Sequence, residues 1–371
     1  MMLPLLLSHA LVQVPLLAGD QGYLEVVVPV QADSLEARLT SESPASVVES
    51  RTVMLHKGVN RLRFDWSRER VDESSVHLDA APASGTASIT ARSKIWRLGN
   101  SLYFDVDAAE DTSAVVTARY LLAGIGWRVA YTGLLESGAE DADVPLVTLK
   151  LAVEVTNNSG KDLHAARIAF DGGVIERLSL LNGERREVEV ARVEHVPTRK
   201  RYIYDPGRFG ATPGIEVEVA NQAGTPLARE LLPAGRIRMF AAAGSAGRGL
   251  IGEDVFPSTA LGERARFSLG HARDLVVERV VLAQQNENER RDRWNKVVAY
   301  DQRAKLRFKV QNGMGRPVEL TVVEKPGAPL EVVACGAPHE KKKADTLEIK
   351  IAVAATAASE LDLEWLRRNL F

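Results

Sequence analysis

Apolar and polar residues alternate along most of this chain with the two-residue period expected of β-strands that bury one face. Residues 62–66, 149–155, 215–219, 304–310 and 347–353 show the alternation most clearly. Half-buried strands of this kind are typical of antiparallel sheets, because strands of parallel sheets are usually covered on both faces. The pattern therefore predicts an all-β protein, built from two or three antiparallel β-sandwich (immunoglobulin-like) units in tandem.

One nine-residue pattern occurs three times, at residues 155–163, 219–227 and 310–318, each time where a strand-like stretch ends. In every copy an Asn follows a Val by two residues, and a Gly follows the Asn by three. The Asn side chain can bond the backbone of a turn and the Gly can adopt a positive φ, so the pattern predicts a hairpin turn used repeatedly. The predicted turn residues are Asn157, Gly160, Asn221, Gly224, Asn312 and Gly315.

The chain opens with a predominantly apolar stretch, residues 1–18, that ends at the small residue Ala18. This composition predicts a signal peptide over residues 1–19 and a periplasmic or secreted protein. The stretch contains no Lys or Arg, and the alternative is an apolar first strand in a cytoplasmic protein. No uncharged apolar run of about 18 residues follows, so we predict no transmembrane segment in the mature chain.

The length of 371 residues suits two or three domains. We expect an N-terminal β domain over residues 20–112, because an acidic loop at 105–111 follows its last strands. A second β-sandwich region is expected over residues 113–371, with a division into two sandwiches near residues 235–300.

Composition narrows the chemistry that the protein can carry. A formal net charge of −2 gives no reason to expect a nucleic-acid partner, which usually needs a basic surface. The single cysteine, Cys335, can form no intramolecular disulfide, and the seven histidines lack the close spacings of zinc motifs. We therefore predict neither a metal nor another cofactor.

Two stretches, residues 198–208 and 284–294, are predicted to form long loops, where binding residues often lie. Each combines cations with aromatic rings, which can contact sugars and anionic groups. If the two clusters converge, they would bind an anionic glycan or a protein; a solvated loop is the alternative. The candidate binding residues are Arg199, Lys200, Arg201, Tyr202, Tyr204, Arg290, Arg291, Arg293 and Trp294.

Enzymatic activity has weaker support. A carbohydrate-active hydrolase would need two carboxyl groups about 5 to 9.5 Å apart, and the best local candidates are Glu253 and Asp254, with Asp274 and Glu278 nearby. Carboxylates at strand ends are usually solvated or paired with arginines. No Gly-x-Ser-x-Gly sequence stands in the strand-turn-helix context of a serine hydrolase. We therefore predict no catalytic residues, and a carbohydrate-active hydrolase is the alternative.

Five segments in order resemble a bacterial family defined by a domain of unknown function, which includes the mucoidy-inhibitor-like proteins. The matching segments span about residues 115–371 and are 120–131, 155–163, 232–240, 250–254 and 267–270. The chain departs from the family at Val129, where a proline is expected, and it lacks the long helical insert of the mucoidy-inhibitor-like members.

The resemblance implies a β-rich envelope or secreted protein, with no established reaction or cofactor. Together with the other patterns, it predicts an exported, non-catalytic binding or scaffolding component of the bacterial cell envelope. Its partner would be an envelope protein or a glycan, and the oligomeric state stays open.

Overall fold

The computed structural model describes residues 23–40, 44–66, 69–97, 101–136, 145–242 and 247–371, so the predicted signal peptide lies outside the described residues. The described chain is nearly all β, with mostly antiparallel sheets, which confirms the predicted fold class. It forms two compact units: unit 1 contains residues up to 129 and 152–190, and unit 2 contains 130–151 and 191–371.

The strands, in chain order, are β1 (Leu24–Val27), β2 (Ser34–Arg38), β3 (Ala45–Leu55), β4 (Gly58–Asp65), β5 (His77–Pro82), β6 (Ile89–Arg97), β7 (Ser101–Ala108), β8 (Thr112–Leu122), β9 (Ile125–Leu135), β10 (Leu146–Asn157), β11 (Leu163–Phe170), β12 (Gly173–Leu180), β13 (Arg185–Tyr204), β14 (Gly214–Ala220), β15 (Leu231–Leu232), β16 (Gly235–Ala242), β17 (Arg248–Phe256), β18 (Thr259–Ala260), β19 (Arg264–His271), β20 (Leu275–Arg291), β21 (Val297–Asn312), β22 (Val318–Glu324), β23 (Leu330–Cys335), β24 (His339–Lys343), β25 (Thr346–Val353) and β26 (Ala358–Leu370). A 3-10 turn spans Glu73–Ser75, and a single short helix, α1, spans Pro206–Phe209 in the described chain.

Unit 1 contains two sheets, with strand orders β1-β4-β7-β6 and β12-β11-β2-β3-β8-β5. Alternate residues of β3 are buried, as the two-residue period predicts. An aromatic group lies in the core: Phe64 stacks on Trp66 with ring centroids 5.4 Å apart, and Trp66 contacts Tyr120 at 5.5 Å. The units do not follow the expected division at residue 112, because β8 pairs with β3 and β5 inside unit 1.

Charged side chains also enter the core of unit 1. Glu49 is fully buried and lies 2.7 Å from Arg51 and 3.1 Å from the Nζ of Lys161, which also contacts Glu69 at 3.1 Å. Burial acts to raise the pKa of Glu49, but attraction to Lys161 and Arg51 outweighs it and the pKa is lowered. Burial raises the pKa of Glu69, and attraction to Lys161 only partly opposes this. The pKa values of the two carboxyls in this cluster are therefore shifted in opposite directions.

A ten-stranded sheet, most of whose residues belong to unit 2, has the order β17-β16-β9-β10-β13-β22-β25-β24, and β14 pairs with β13 and β19. A four-stranded sheet has the order β20-β21-β26-β23, and β15 pairs with β18. One hydrophobic core joins inward residues of β21 and β26 to those of β22 and β25, including Phe308, Leu320, Ile349 and Leu363.

The three Asn residues of the repeated pattern lie in buried, hydrogen-bonded corners of the chain. Asn157, Asn221 and Asn312 are almost fully buried. Each donates two hydrogen bonds from Nδ2, one to a carbonyl of its own connection and one to a carbonyl beside a strand farther along the chain. The acceptor carbonyls are those of Lys161 and Leu180, Arg229 and Thr259, and Arg316 and Ala354.

Two details of the predicted turn are wrong. The strand that follows each Asn pairs with other strands, so the chain changes neighbours at the corner and forms no hairpin there. Gly160 and Gly224 adopt φ values of 85° and 83° as predicted, but Gly315 does not adopt a positive φ. In that third copy the Oδ1 of Asn312 accepts a hydrogen bond from the backbone N–H of Met314, 2.9 Å away.

The two predicted loops are also largely strand. Residues 198–204 belong to β13, whose ladder with β14 runs from Thr198 to Ile203, and α1 follows. Residues 284–291 belong to β20, and only 292–296 form a turn before β21. The many charges suggested loops, but cross-strand ion pairs accommodate them, as between Arg201 and Glu216.

Candidate functional site

Seven strands of unit 2 form a closed ring. Six neighbouring pairs, from β17 through β16, β9, β10, β13 and β14 to β19, are hydrogen-bonded in that order. The first and last strands then meet. A Cβ built on Gly252 of β17 would lie only 2.8 Å from the Cα of Leu269 on β19, so the two backbones are in contact. We call this assembly the strand ring.

A carboxylate helps to close the seam between β17 and β19. The Oδ2 of Asp254 accepts a hydrogen bond from the backbone N–H of Ser268, 2.5 Å away. Both seam strands carry a register shift beside this contact, at Ile251 in β17 and at Leu269 in β19. Bulges of this kind bend strands and re-aim side chains, and both shifted residues line the cleft described below.

Aromatic side chains fill one end of the strand ring. The rings of Tyr131 and Phe256 stack with centroids 4.3 Å apart, and Phe256 contacts Phe267 at 5.9 Å. The hydroxyl of Tyr131 donates to the carbonyl of Pro233 at 2.6 Å, and burial raises the pKa of this tyrosine. This end of the ring is therefore a packed core.

The other end opens into a cleft of about 440 Å³. Nine of its twelve described lining residues are apolar, and every strand of the ring contributes to it. The lining includes both buried and exposed residues. Val147, Val217 and Met239 are buried, whereas Ile251 and His271 are exposed. The lining residues are Leu135, Pro145, Val147, Thr198, Lys200, Ile215, Val217, Met239, Ala241, Ile251, Leu269 and His271.

Three lining residues are polar. The hydroxyl of Thr198 donates to the carbonyl of Pro145 at 2.8 Å, so it is used within the ring. Lys200 and His271 are the ionisable residues among the described lining. The His271 ring stands edge-on to Phe209 of α1, with centroids 6.3 Å apart.

A second depression, of about 210 Å³, shares Lys200 with the cleft. It forms where β13 and β22 meet, and its lining includes the predicted binding residues Arg199, Arg201 and Tyr202. Its acidic residue is Glu319, which lies 4.0 Å from Arg199 and 3.3 Å from Lys350. Lys200 therefore lines both the apolar cleft and a depression whose other charged lining residues are Arg199, Arg201 and Glu319.

The ring of Tyr202 also belongs to the hydrophobic core, and its hydroxyl accepts a hydrogen bond from Arg316 at 2.6 Å. The remaining predicted binding residues lie outside both spaces, and Tyr204 is buried in the same core. The predicted cluster of Arg290, Arg291, Arg293 and Trp294 lies at the β20–β21 turn, in the four-stranded sheet. The two predicted clusters thus belong to different sheets.

That β20–β21 turn does expose an aromatic side chain. Trp294 is 71% exposed, and the guanidinium of Arg293 lies over its ring at 3.9 Å. Arg290 donates to the side chain of Asn369, and Arg291 pairs with Glu289. The cations at this turn already have partners within the protein.

The carboxylates of the hydrolase alternative have structural contacts. Glu253 and Asp254 are neighbours on β17, and adjacent residues of a strand point to opposite faces. Glu253 is paired with Arg238 at 2.6 Å and Arg236 at 3.3 Å, whereas Asp254 accepts a hydrogen bond from the backbone N–H of Ser268. These contacts give the hydrolase alternative no support, and it stays a prediction.

Sequence patterns did not predict the cleft, although they did single out Lys200, because apolar lining residues such as Ile215 and Val217 look like ordinary core positions of a strand. The available signal was the glycines inside strand patterns, at Gly252 and at Gly270, which often mark bulges or close backbone approach. Gly133 is a third example: a Cβ there would clash with the side chain of Met239, which occupies that space.

Comparison with models of known protein families and with curated proteins finds no match to this chain. The resemblance to the mucoidy-inhibitor-like family therefore stays a prediction. In the part of the chain that the structure describes, no helix is long and apolar enough to span a membrane.

Proposed function

We propose that this is a non-catalytic binding protein, and that the cleft of the strand ring accepts an apolar small molecule or the apolar part of a larger one. The cleft carries this proposal. Its volume of about 440 Å³ falls within the size of small-molecule sites, which is about 300 to 1,000 Å³, and such sites are mostly apolar with a few polar groups.

The construction of the ring supports a preformed site. Seven strands of a sheet that closes on itself hold their inward side chains at set positions, and the interior of a ring of about eight strands is either filled by side chains or holds one small ligand. The aromatic stack of Tyr131 and Phe256 closes one end, so entry is from the open end. A rigid, preformed cleft avoids much of the ordering cost of binding.

Binding of a neutral, environment-sensitive dye such as N-phenylnaphthylamine tests the proposal. Ile215→Trp adds bulk to the lining of the cleft and should abolish the dye's fluorescence gain. Val276→Trp is the matched control, because it adds the same side chain at an exposed position of unit 2. Absence of dye binding by the wild-type protein, or equal binding by both variants, would contradict the proposed site.

Export to the cell envelope belongs to the same proposal and rests on the apolar residues 1–18. Fusion of the full chain to a reporter that is active only outside the cytoplasm tests it. An inactive reporter, despite a stable fusion protein, would contradict export.

A further inference from the structure

We infer that the cleft selects an anionic amphiphile, with the apolar part inside the strand ring and the anionic group beside Lys200. This inference rests on the proposed function and names the chemical class of the ligand.

The first support is the junction of two differently lined spaces. The cleft of the ring is mostly apolar, whereas the depression that adjoins it contains the basic residues Arg199, Lys200 and Arg201 and one acidic residue, Glu319. Lys200 lines both spaces. A ligand that fills both would need an apolar portion joined to a polar head.

The second support is the charge on the inner face. Ile215 and Val217 of β14 point toward the cleft. Because successive residues of a strand point to opposite faces, Glu216 and Glu218 point to the other face. Glu216 is paired there with Arg201 and Arg208, and Glu218 with Arg264 and Arg266.

The two acids of β17 also have partners within the protein. Asp254 binds the backbone of Ser268 at the seam, and Glu253 pairs with two arginines. Lys200 and His271 are then the ionisable groups of the described cleft lining, and both are basic. Because a cation in a partly desolvated site attracts an anion more strongly than in water, this lining favours an anionic head group over a neutral or cationic one.

Three probes with the same ten-carbon chain separate the head group from the tail: decanoate, decanol and decyltrimethylammonium. Each is titrated against the full chain loaded with N-phenylnaphthylamine, and the concentration for half displacement is measured. We expect decanoate to displace the dye at a concentration about tenfold lower than decanol or the cation does, as a charge-assisted hydrogen bond predicts.

Lys200→Met should weaken decanoate about tenfold and leave decanol unchanged, while Lys200→Arg should keep the preference for the anion. Lys309→Met is the control, because Lys309 is a half-exposed lysine of unit 2 that pairs with Glu278 away from the cleft. Circular dichroism and urea titration establish that each variant is folded.

The outcomes separate the two proposals. Equal displacement by all three probes, or a preference for the cation, overturns the inference about the head group and leaves the apolar cleft intact. A decanoate preference that survives Lys200→Met also overturns it. Failure of every probe, and of the dye itself, overturns the proposed function.

Discussion

Replacing Asn157 by alanine tests whether a single buried amide holds a corner of unit 1 in place. The side chain is fully buried. Its Nδ2 donates to the carbonyls of Lys161 at 2.7 Å and Leu180 at 3.1 Å, and its Oδ1 accepts from the hydroxyl of Ser159 at 2.7 Å. These bonds join the connection after β10 to the end of β12.

The magnitude follows from the groups that alanine would leave unpaired. A buried polar group without a partner costs about 1–3 kcal/mol, so two carbonyls predict a loss of roughly 2–6 kcal/mol. That is a large fraction of the total free energy of unfolding of a typical protein, about 5–15 kcal/mol. The variant is therefore expected to be strongly destabilised, and at the upper limit unit 1 would not stay folded.

Two comparison variants separate hydrogen bonding from other effects. Asn157→Asp keeps the shape of the side chain but removes both donors, so it should destabilise at least as much as alanine at neutral pH. Asn158→Ala removes an exposed amide from the same connection and should change the free energy of unfolding by less than about 0.5 kcal/mol.

Urea titration monitored by circular dichroism gives the free energies, and hydrogen exchange of residues 176–190 reports local opening of the corner. If Asn157→Asp were as stable as the wild type, or if Asn157→Ala and Asn158→Ala were equally stable, the amide would not hold this corner and the reasoning would be refuted.

Burial raises the pKa of Glu69, so the stability contributed by its proton is present at acidic pH and is lost as the pH rises through the folded-state pKa. In urea titrations between about pH 5 and about pH 8, the wild type should therefore lose more free energy of unfolding than Glu69→Gln does. Parallel losses in the two proteins would contradict this. Gly252→Ala should force β17 and β19 apart at the seam, at a cost of about 1–3 kcal/mol, and weaken dye binding. Gly126→Ala should be neutral, because nothing lies within 4 Å of its added Cβ. Equal effects of the two substitutions would contradict the close contact at the seam. Tyr131→Phe leaves the Pro233 carbonyl without its donor and should cost about 1–3 kcal/mol by urea titration, and an unchanged midpoint would show that the bond contributes nothing.

Local patterns were sufficient to predict the class of the fold. Alternation with a period of two specifies a strand with one buried face, and this holds for β3, β10 and β21 wherever they pair. The repeated Asn was likewise recognised, because an amide two residues beyond the last buried Val has a local reason to be there. Its exact bonding partners were not predictable, since Leu180, Thr259 and Ala354 lie 23, 38 and 42 residues away.

Alternation does not specify which strands become neighbours. The predicted loops were wrong because Arg199 and Arg201 look solvated in isolation, and only their cross-strand contacts with Glu319 and Glu216 show that they belong to a strand. The division of residues between the two units differs from the expected boundary at residue 112 for the same reason. β8 is assigned to unit 1 by its partners β3 and β5, which are distant in sequence.

By itself, then, the sequence determined the strands that alternate clearly, their buried faces and the residues that can turn them, because these depend on side-chain polarity and on backbone freedom at single positions. The tertiary structure alone decided that seven strands close into a ring, that Gly252 meets Leu269 at the seam and that Lys200 stands between an apolar cleft and a basic depression. The physical reason is that a cleft is formed by distant segments, and the pairing that brings them together is not encoded in the alternation of any one of them.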